Sequence, residues 1–396
     1  MHDNHETKMT TLLERGVENI FPKREFLEEK LKSGKPLTIY CGYDPTGPTL
    51  HIGHAITLMK LRDFQDLGHK IIMLIGDFTA LIGDPTDKGA ARVRQTREQV
   101  LENCKLYKQQ AEAILKFDGE NPAELRFNND WLGKLSFADV IELASHFTVQ
   151  QMLERDMFEK RMQEEKPIYL HEFFYPLMQG YDSVAMDVDG ECGGNDQTFN
   201  MLAGRDLLKD LKGKEKFVIA TKLLVDSNGK KMGKSEGNMI ALSDTPEDMF
   251  GKVMRWSDDM IVKGFELCTR VPMHEVAEIT EAMKSGANPR DFKLNLAYHV
   301  TQMFLGDEAA RKGRDHFASV IQSSEKPLEI PKLHPTASDI VTVLVEAGFV
   351  DSRGEARRQI EGGGVKINDE KVESLEAQTK PGDIIQKGKR FFVKVV

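Results

Sequence analysis

Leu37-Thr38-Ile39-Tyr40-Cys41-Gly42-Tyr43-Asp44-Pro45-Thr46-Gly47-Pro48-Thr49-Leu50-His51-Ile52-Gly53-His54 is the stretch whose reading decides the fold. Residues 37–41 form a short β-rich run that stops at Gly42, the pattern of a buried strand. Asp44-Pro45-Thr46-Gly47-Pro48 is turn chemistry. Thr49 is placed to cap a helix. From His51 to Leu67 apolar residues recur at helical spacing (Ile52, Ala55, Leu58, Met59, Leu61, Phe64), and Gly68 ends the run. Lys70-Ile71-Ile72-Met73-Leu74-Ile75-Gly76 is a second buried strand. Strand, helix and strand in close succession make a βαβ unit, so the expected class is α/β, a Rossmann-like parallel sheet with helices on both faces.

Working outward, residues 13–31 read as helical with Pro22 interrupting. Helices are expected over 95–117 and 136–163, sheet-type residues return near Val184, and Lys216-Phe217-Val218-Ile219-Ala220 is the last clear strand. After Ser235 the texture changes to helices with charged faces, from Pro246 to about Ser323. Residues 325–335 carry prolines at 327, 331 and 335 without periodicity and read as a semi-rigid linker. The remainder reads as a compact α+β unit. The expected organisation is therefore a catalytic domain over 1–235, an α-helical domain over 236–324, the linker, and a small α+β domain over 336–396.

With 396 residues, 40% of them hydrophobic and 30% charged, the chain has the composition of a soluble multidomain protein. No apolar run reaches the length of a bilayer span. The polar start, Met1-His2-Asp3-Asn4-His5-Glu6, is unlike a signal peptide. Cys41, Cys104, Cys192 and Cys268 are scattered, with no CxxC pair, which points to a reducing cytoplasm and to no protein-bound metal. The net charge of −9 is uneven: residues 331–396 hold 11 Lys+Arg against 10 Asp+Glu, leaving 43 against 53 in the first 330. A local basic stripe in the tail is thus compatible with a nucleic-acid partner.

His51-Ile52-Gly53-His54 is joined, about 180 residues later, by Lys231-Met232-Gly233-Lys234-Ser235. Two imidazoles and two ammonium groups brought together suit the negative charge that builds on a triphosphate when its α-phosphorus is attacked. His51 and His54 are expected on one helix face, with the helix N-terminus adding positive potential and Gly53 letting a nucleotide approach the backbone. Lys231 and Lys234 sit on a Gly-containing loop that can close over the phosphates late in the reaction. Either signature alone is short enough to arise by chance; both, in this order, are far more specific.

The two signatures resemble those of class I aminoacyl-tRNA synthetases, and Tyr40-Cys41-Gly42-Tyr43-Asp44-Pro45-Thr46 ahead of the first resembles the bacterial tyrosyl-tRNA synthetase family. Asp84-Pro85-Thr86-Asp87-Lys88-Gly89-Ala90-Ala91-Arg92 and Phe174-Tyr175-Pro176-Leu177-Met178-Gln179-Gly180-Tyr181-Asp182 extend the match. The resemblance implies catalytic contacts with phosphate from His51, His54, Lys231, Lys234, Lys88 and Arg92. It implies a tyrosine pocket of Tyr40 and Asp182 on the phenol, with Asp84, Tyr175 and Gln179 near the ammonium group. Gly42, Asp44, Thr46, Gly53, Thr57, Gly194, Asp196, Gln197 and Lys234 are implied to contact ATP, which enters with Mg2+. Thr198 stands where one large branch has tryptophan, which points to the second bacterial branch.

Residues 130–170 resemble the family's connective insertion, which implies a homodimer. Ser352-Arg353-Gly354-Glu355-Ala356-Arg357-Arg358 and Gly362-Gly363-Gly364-Val365-Lys366-Ile367-Asn368 resemble the S4 RNA-binding module, with Arg353, Arg357 and Arg358 as phosphate contacts. The resemblance implies a cytoplasmic ligase that joins tyrosine to its tRNA and makes no use of a membrane. Three rivals stay open on the sequence: a tryptophan-specific relative, an RNA-binding protein that kept the scaffold without the chemistry, and a small-molecule adenylate-forming ligase.

Overall fold

The computed structural model describes residues 2–84, 95–225, 229, 232, 239–322, 330–388 and 391–396. It divides into two compact units, Met1–Gly313 and Arg314–Val396. The first is built on a six-stranded sheet of β1 (Val17–Phe21), β2 (Thr38–Tyr43), β3 (Lys70–Ile75), β4 (Glu124–Phe127), β5 (Gly190–Gly194) and β6 (Phe217–Thr221). Its order is β1-β6-β5-β2-β3-β4. Five strands run parallel, and β1 closes one edge antiparallel to β6. This is the expected Rossmann-like α/β sheet. Strand order reverses beside β2, where the first strand in the series is flanked by β3 on one side and β5 on the other; open parallel sheets bind ligands at such a crevice.

The helix after β2 is Ile52–Gln65. It buries Leu58, Leu61 and Phe64 completely beside strands whose Ile39, Met73, Phe217 and Ile219 are equally enclosed. Helices Phe174–Met186 and Thr198–Lys212 pack closely because glycines face each other: a Cβ on Gly180 would lie 3.3 Å from the Gly204 Cα. Further helices, Pro246–Met254, Met260–Cys268, Met273–Lys284 and Pro289–Leu305, complete the unit. Buried Arg15 fastens them to the N-terminal segment. Its guanidinium donates to the carbonyls of Phe265, Glu266, Thr269 and Val271, satisfying the exposed end of helix Met260–Cys268.

Several expected elements differ. Residues 13–31 are not one interrupted helix: helix His2–Glu14 ends at Gly16, and Val17–Phe21 pairs with β6 before helix Arg24–Lys32 begins. Sheet pairing outweighs the local periodicity there. Val184 lies within helix Phe174–Met186, and the strand follows at Gly190–Gly194. The 136–163 span is three short helices, Phe137–Ser145, Val149–Leu153 and Asp156–Gln163, because Ser136 and Thr148 each start a new capping box. The 95–117 span likewise breaks into Arg97–Cys104 and Tyr107–Ala111.

The second unit carries a five-stranded sheet, β7 (Lys332–Leu333), β8 (Val365–Ile367), β9 (Glu370–Lys371), β10 (Ile384–Lys387) and β11 (Phe391–Val395), in the order β7-β11-β10-β8-β9. Helices Ile340–Glu346 and Arg353–Glu361 share its core through Ile340, Val343, Leu344, Ala356, Ile360, Val365, Ile385 and Val393. Lys332 and Leu333, read in the sequence as linker, are its edge strand, parallel to β11.

Candidate active site

At the C-terminal ends of the parallel strands lies a cavity of about 790 Å³. His51, His54, Tyr40, Asp84, Tyr175, Gln179, Asp182, Gly42, Asp44, Thr46, Gly53, Thr57, Gly194, Asp196 and Gln197 all line it. Met232, from the second signature, lines it too, its amide donating to the Leu224 carbonyl at 2.9 Å. Lys88, Arg92, Lys231 and Lys234 lie outside the described residues.

The two histidine rings lie together at the start of the helix, as expected, but His51 stands at its N-cap and not within its first turn. Neither Thr49 nor a preceding turn residue caps the helix; His51 does, in extended conformation. Its Nδ1 accepts from the Gly53 amide at 3.1 Å, and the His54 Nδ1 accepts from the His51 amide at 3.2 Å. The rings stack with centroids 3.8 Å apart. With Nδ1 of each ring taking a backbone N–H, the neutral imidazoles carry their proton on Nε2, so each offers an N–H donor suited to phosphate oxygen. Gly53 is needed locally, since a Cβ would come within 2.9 Å of the His51 ring. Thr57 donates to the His54 carbonyl and meets the Tyr43 hydroxyl, both at 2.9 Å.

Tyr175, Gln179 and Asp182 do share one helix, Phe174–Met186, and reach the cavity together. Tyr175 donates its phenol to Asp44 at 2.8 Å, and Asp44 also accepts from Thr79 at 2.7 Å. Gly76 makes that possible: a Cβ there would fall 2.0 Å from an Asp44 oxygen. Gln197 donates to Asp84 at 2.6 Å. Asp182 is buried. It accepts from Trp131 Nε1 at 2.7 Å and from Asn128 Nδ2 at 3.3 Å. Burial pushes its carboxyl well above the usual range, and those two N–H groups oppose the shift. Tyr40, fully enclosed, meets the Ser183 hydroxyl at 2.9 Å. Cys41 also lines the cavity, but burial pushes its thiol up to about 11, so it is no nucleophile near neutral pH.

A family model for class I tRNA synthetases (W and Y) matches residues 32–322, and one for the S4 domain matches 340–385. The chain is 44% identical over 389 residues to the tyrosine–tRNA ligase of Thermotoga maritima, covering 97% of this chain and 96% of that one. The chain belongs to the class I tyrosyl-tRNA synthetases. The Haemophilus influenzae tyrosine–tRNA ligase is also 44% identical, with 97% of this chain and 95% of the relative covered. Among solved structures, a truncated Coccidioides posadasii mitochondrial tyrosyl-tRNA synthetase matches with a TM-score of 0.64 at 27% identity, over 78% of this chain and 91% of that one. The Archaeoglobus fulgidus tyrosyl-tRNA synthetase complexed with L-tyrosine matches with a TM-score of 0.61 at 25% identity, over 78% and 99%.

For a tyrosyl-tRNA synthetase site, sequence reasoning passed over Asn128, Trp131, Ser183, Glu191 and Lys216. Only Glu191 and Lys216 left a trace: each is a charge set in or against a buried strand, which burial alone does not explain. In the second unit, Arg357 and Arg358 are exposed on helix Arg353–Glu361. Arg353 is exposed as well, and it donates to Thr342 Oγ1 at 2.8 Å and pairs with Asp339 at 3.4 Å.

Proposed function

We infer that this chain is a tyrosine–tRNA ligase. It activates L-tyrosine with ATP and then transfers tyrosine to the 3′-terminal ribose of its tRNA. In the first step a tyrosine carboxylate oxygen bonds to the α-phosphorus, and the bond from that phosphorus to the pyrophosphate oxygen breaks. In the second, a ribose hydroxyl attacks the acyl carbon of the adenylate and AMP leaves. The observation that carries the reading is one continuous cavity joining the half-buried His51 and His54 to the buried Asp182 and Tyr40. Nothing in this chemistry requires a covalent enzyme intermediate; the protein positions and neutralises.

In this reading Tyr40 and Asp182 take the substrate phenol, Asp84, Tyr175 and Gln179 the ammonium group, and His51 and His54 the phosphates. Gly42, Asp44, Thr46, Gly53, Thr57, Gly194, Asp196 and Gln197 surround the nucleotide. Lys88, Arg92, Lys231 and Lys234 complete the charge on the triphosphate, which enters as its magnesium salt. Pyrophosphate exchange with each of the twenty amino acids in turn tests the assignment. Tyrosine alone is expected to support rapid exchange; tryptophan or no amino acid doing so overturns it. Tyr40→Phe is expected to erode the tyrosine-over-phenylalanine preference by less than about tenfold, since one neutral hydrogen bond is lost. Competitive exchange with both amino acids measures it.

A homodimer is supported by the apolar residues that the 130–170 segment exposes, Phe137 at 80%, Leu170 at 73% and Val149 at 66% among them. No helix among the described residues is long and apolar enough to cross a membrane, and the cytoplasm is the compartment this reading places it in. The S4 module would hold tRNA through Arg353, Arg357 and Arg358. Arg357→Ala with Arg358→Ala is expected to raise the KM for tRNA several-fold, steeply with salt, and to leave pyrophosphate exchange at the wild-type rate. Unchanged tRNA charging at physiological salt would remove these residues from the interface.

A further inference from the structure

In the wall of the pocket, which Glu191 lines and behind which Lys216 sits, lies an ion pair that the signatures do not mention. Glu191, in β5, and Lys216, the residue before β6, are 1% and 0% exposed, and they contact each other. Lys216 Nζ also donates to Ser183 Oγ at 2.6 Å. Gln179 Nε2 donates to the other Glu191 oxygen at 3.0 Å, and Ser183 Oγ lies 2.9 Å from the Tyr40 hydroxyl. Gly204 holds the space open from behind, since a Cβ there would lie 2.8 Å from Lys216 Nζ and 3.0 Å from Ser183 Oγ. Taking two charges wholly out of water is expensive, and an apolar pair of the same volume would commonly be as stable. Packing alone therefore gives no reason for it.

Hydrogen-bond direction does. An ammonium group can only donate, and a carboxylate can only accept. Ser183 Oγ accepts from Lys216 and could accept a second bond, but its own O–H is buried and among the described residues meets no acceptor other than the Tyr40 oxygen, so it is directed there and the Tyr40 proton is left for the cavity. Glu191 accepts the Gln179 amide N–H, so the Gln179 carbonyl oxygen is the atom left to accept. We propose that the Lys216–Glu191 pair is a positioning device that sets the polarity of the amino-acid pocket at both ends, making Tyr40 a donor to the substrate phenol and Gln179 an acceptor for the substrate ammonium. Burial and the negative charge of Glu191 keep the Tyr40 phenol protonated, in the state the arrangement needs. The proposal rests on the tyrosine reading of this same site.

Two variants separate the ends. In Glu191→Gln, the new side chain turns its oxygen to Lys216 and its NH2 to Gln179. The Gln179 amide must then invert and set its own NH2 against the substrate ammonium. The KM for tyrosine is expected to rise about tenfold or more with kcat nearly unchanged. Competitive inhibition by tyrosinol should weaken, while inhibition by 3-(4-hydroxyphenyl)propan-1-ol, which has no amine, should not. Ser183→Ala breaks only the link to Tyr40. It is expected to lower the tyrosine-to-phenylalanine ratio of kcat/KM by about threefold to tenfold and to leave the discrimination between the two inhibitors intact. Wild-type inhibitor discrimination in folded Glu191→Gln, or a wild-type amino-acid ratio in Ser183→Ala, overturns the proposal. If Glu191→Gln does not fold, Ser183→Ala decides alone. Wild-type protein that fails to exchange with tyrosine overturns the reading and the proposal together; an active wild type with unaltered variants overturns the proposal only.

Discussion

Asp182→Ala is expected to reduce kcat/KM for tyrosine in pyrophosphate exchange by at least about 100-fold. Two losses combine. The substrate phenol loses a charged acceptor, on the order of 2 kcal/mol. The Trp131 and Asn128 N–H groups that now point at the carboxylate are left facing a void, and burial prevents water from replacing it cheaply. Phenylalanine, which has no hydroxyl to place, should suffer much less, so the preference between the two collapses from one side. The pH profile gives a second check. The carboxylate must be ionised to accept the phenol proton, and burial raises its pKa. Activity toward tyrosine should therefore decline as pH falls through a value above the ordinary carboxylate range, and that acid limb should be absent for phenylalanine. A variant within tenfold of wild type would place the phenol elsewhere.

Lys234→Ala is expected to slow adenylate formation by about 10²–10³ while leaving tyrosine affinity close to wild type. A cation that meets the phosphates most strongly when charge has built on them lowers the barrier more than it aids ground-state binding, so its removal should slow the step and hardly touch tyrosine affinity. Met232, which stands between the two signature lysines in the sequence, is itself buried at the wall of the cavity. Single-turnover adenylate formation, read beside equilibrium tyrosine binding, separates the two quantities. A large loss of tyrosine affinity with an unchanged forward rate would contradict the role.

The βαβ core was legible because its signals are local. Strands Thr38–Tyr43 and Lys70–Ile75 are mostly apolar runs, the intervening helix repeats its apolar residues at helical spacing, and glycine and proline punctuate the turns. The grouping of His51 with His54, and of Tyr175 and Gln179 with Asp182, was legible for a related reason: each set is close along the chain and one helix carries the second, while the roles given to them came from the family resemblance. Edge strand β1 was hidden, because five residues between Gly16 and Pro22 pair only once β6, some 200 residues away, is beside them. The histidine arrangement was hidden too, since spacing shows that two rings can meet but not that His51 would cap the helix and spend its Nδ1 on the backbone. Asn128 and Trp131, from one short helix and its N-cap, and Ser183, Glu191 and Lys216, from three other places in the chain, acquire a role only through distances of 2.6–3.3 Å across the fold. Sequence by itself determined which groups are available to handle a triphosphate and a phenol. Tertiary structure decided which atom of each group donates and which accepts, because hydrogen-bond direction in a buried network is set by neighbours that packing, not chain order, supplies.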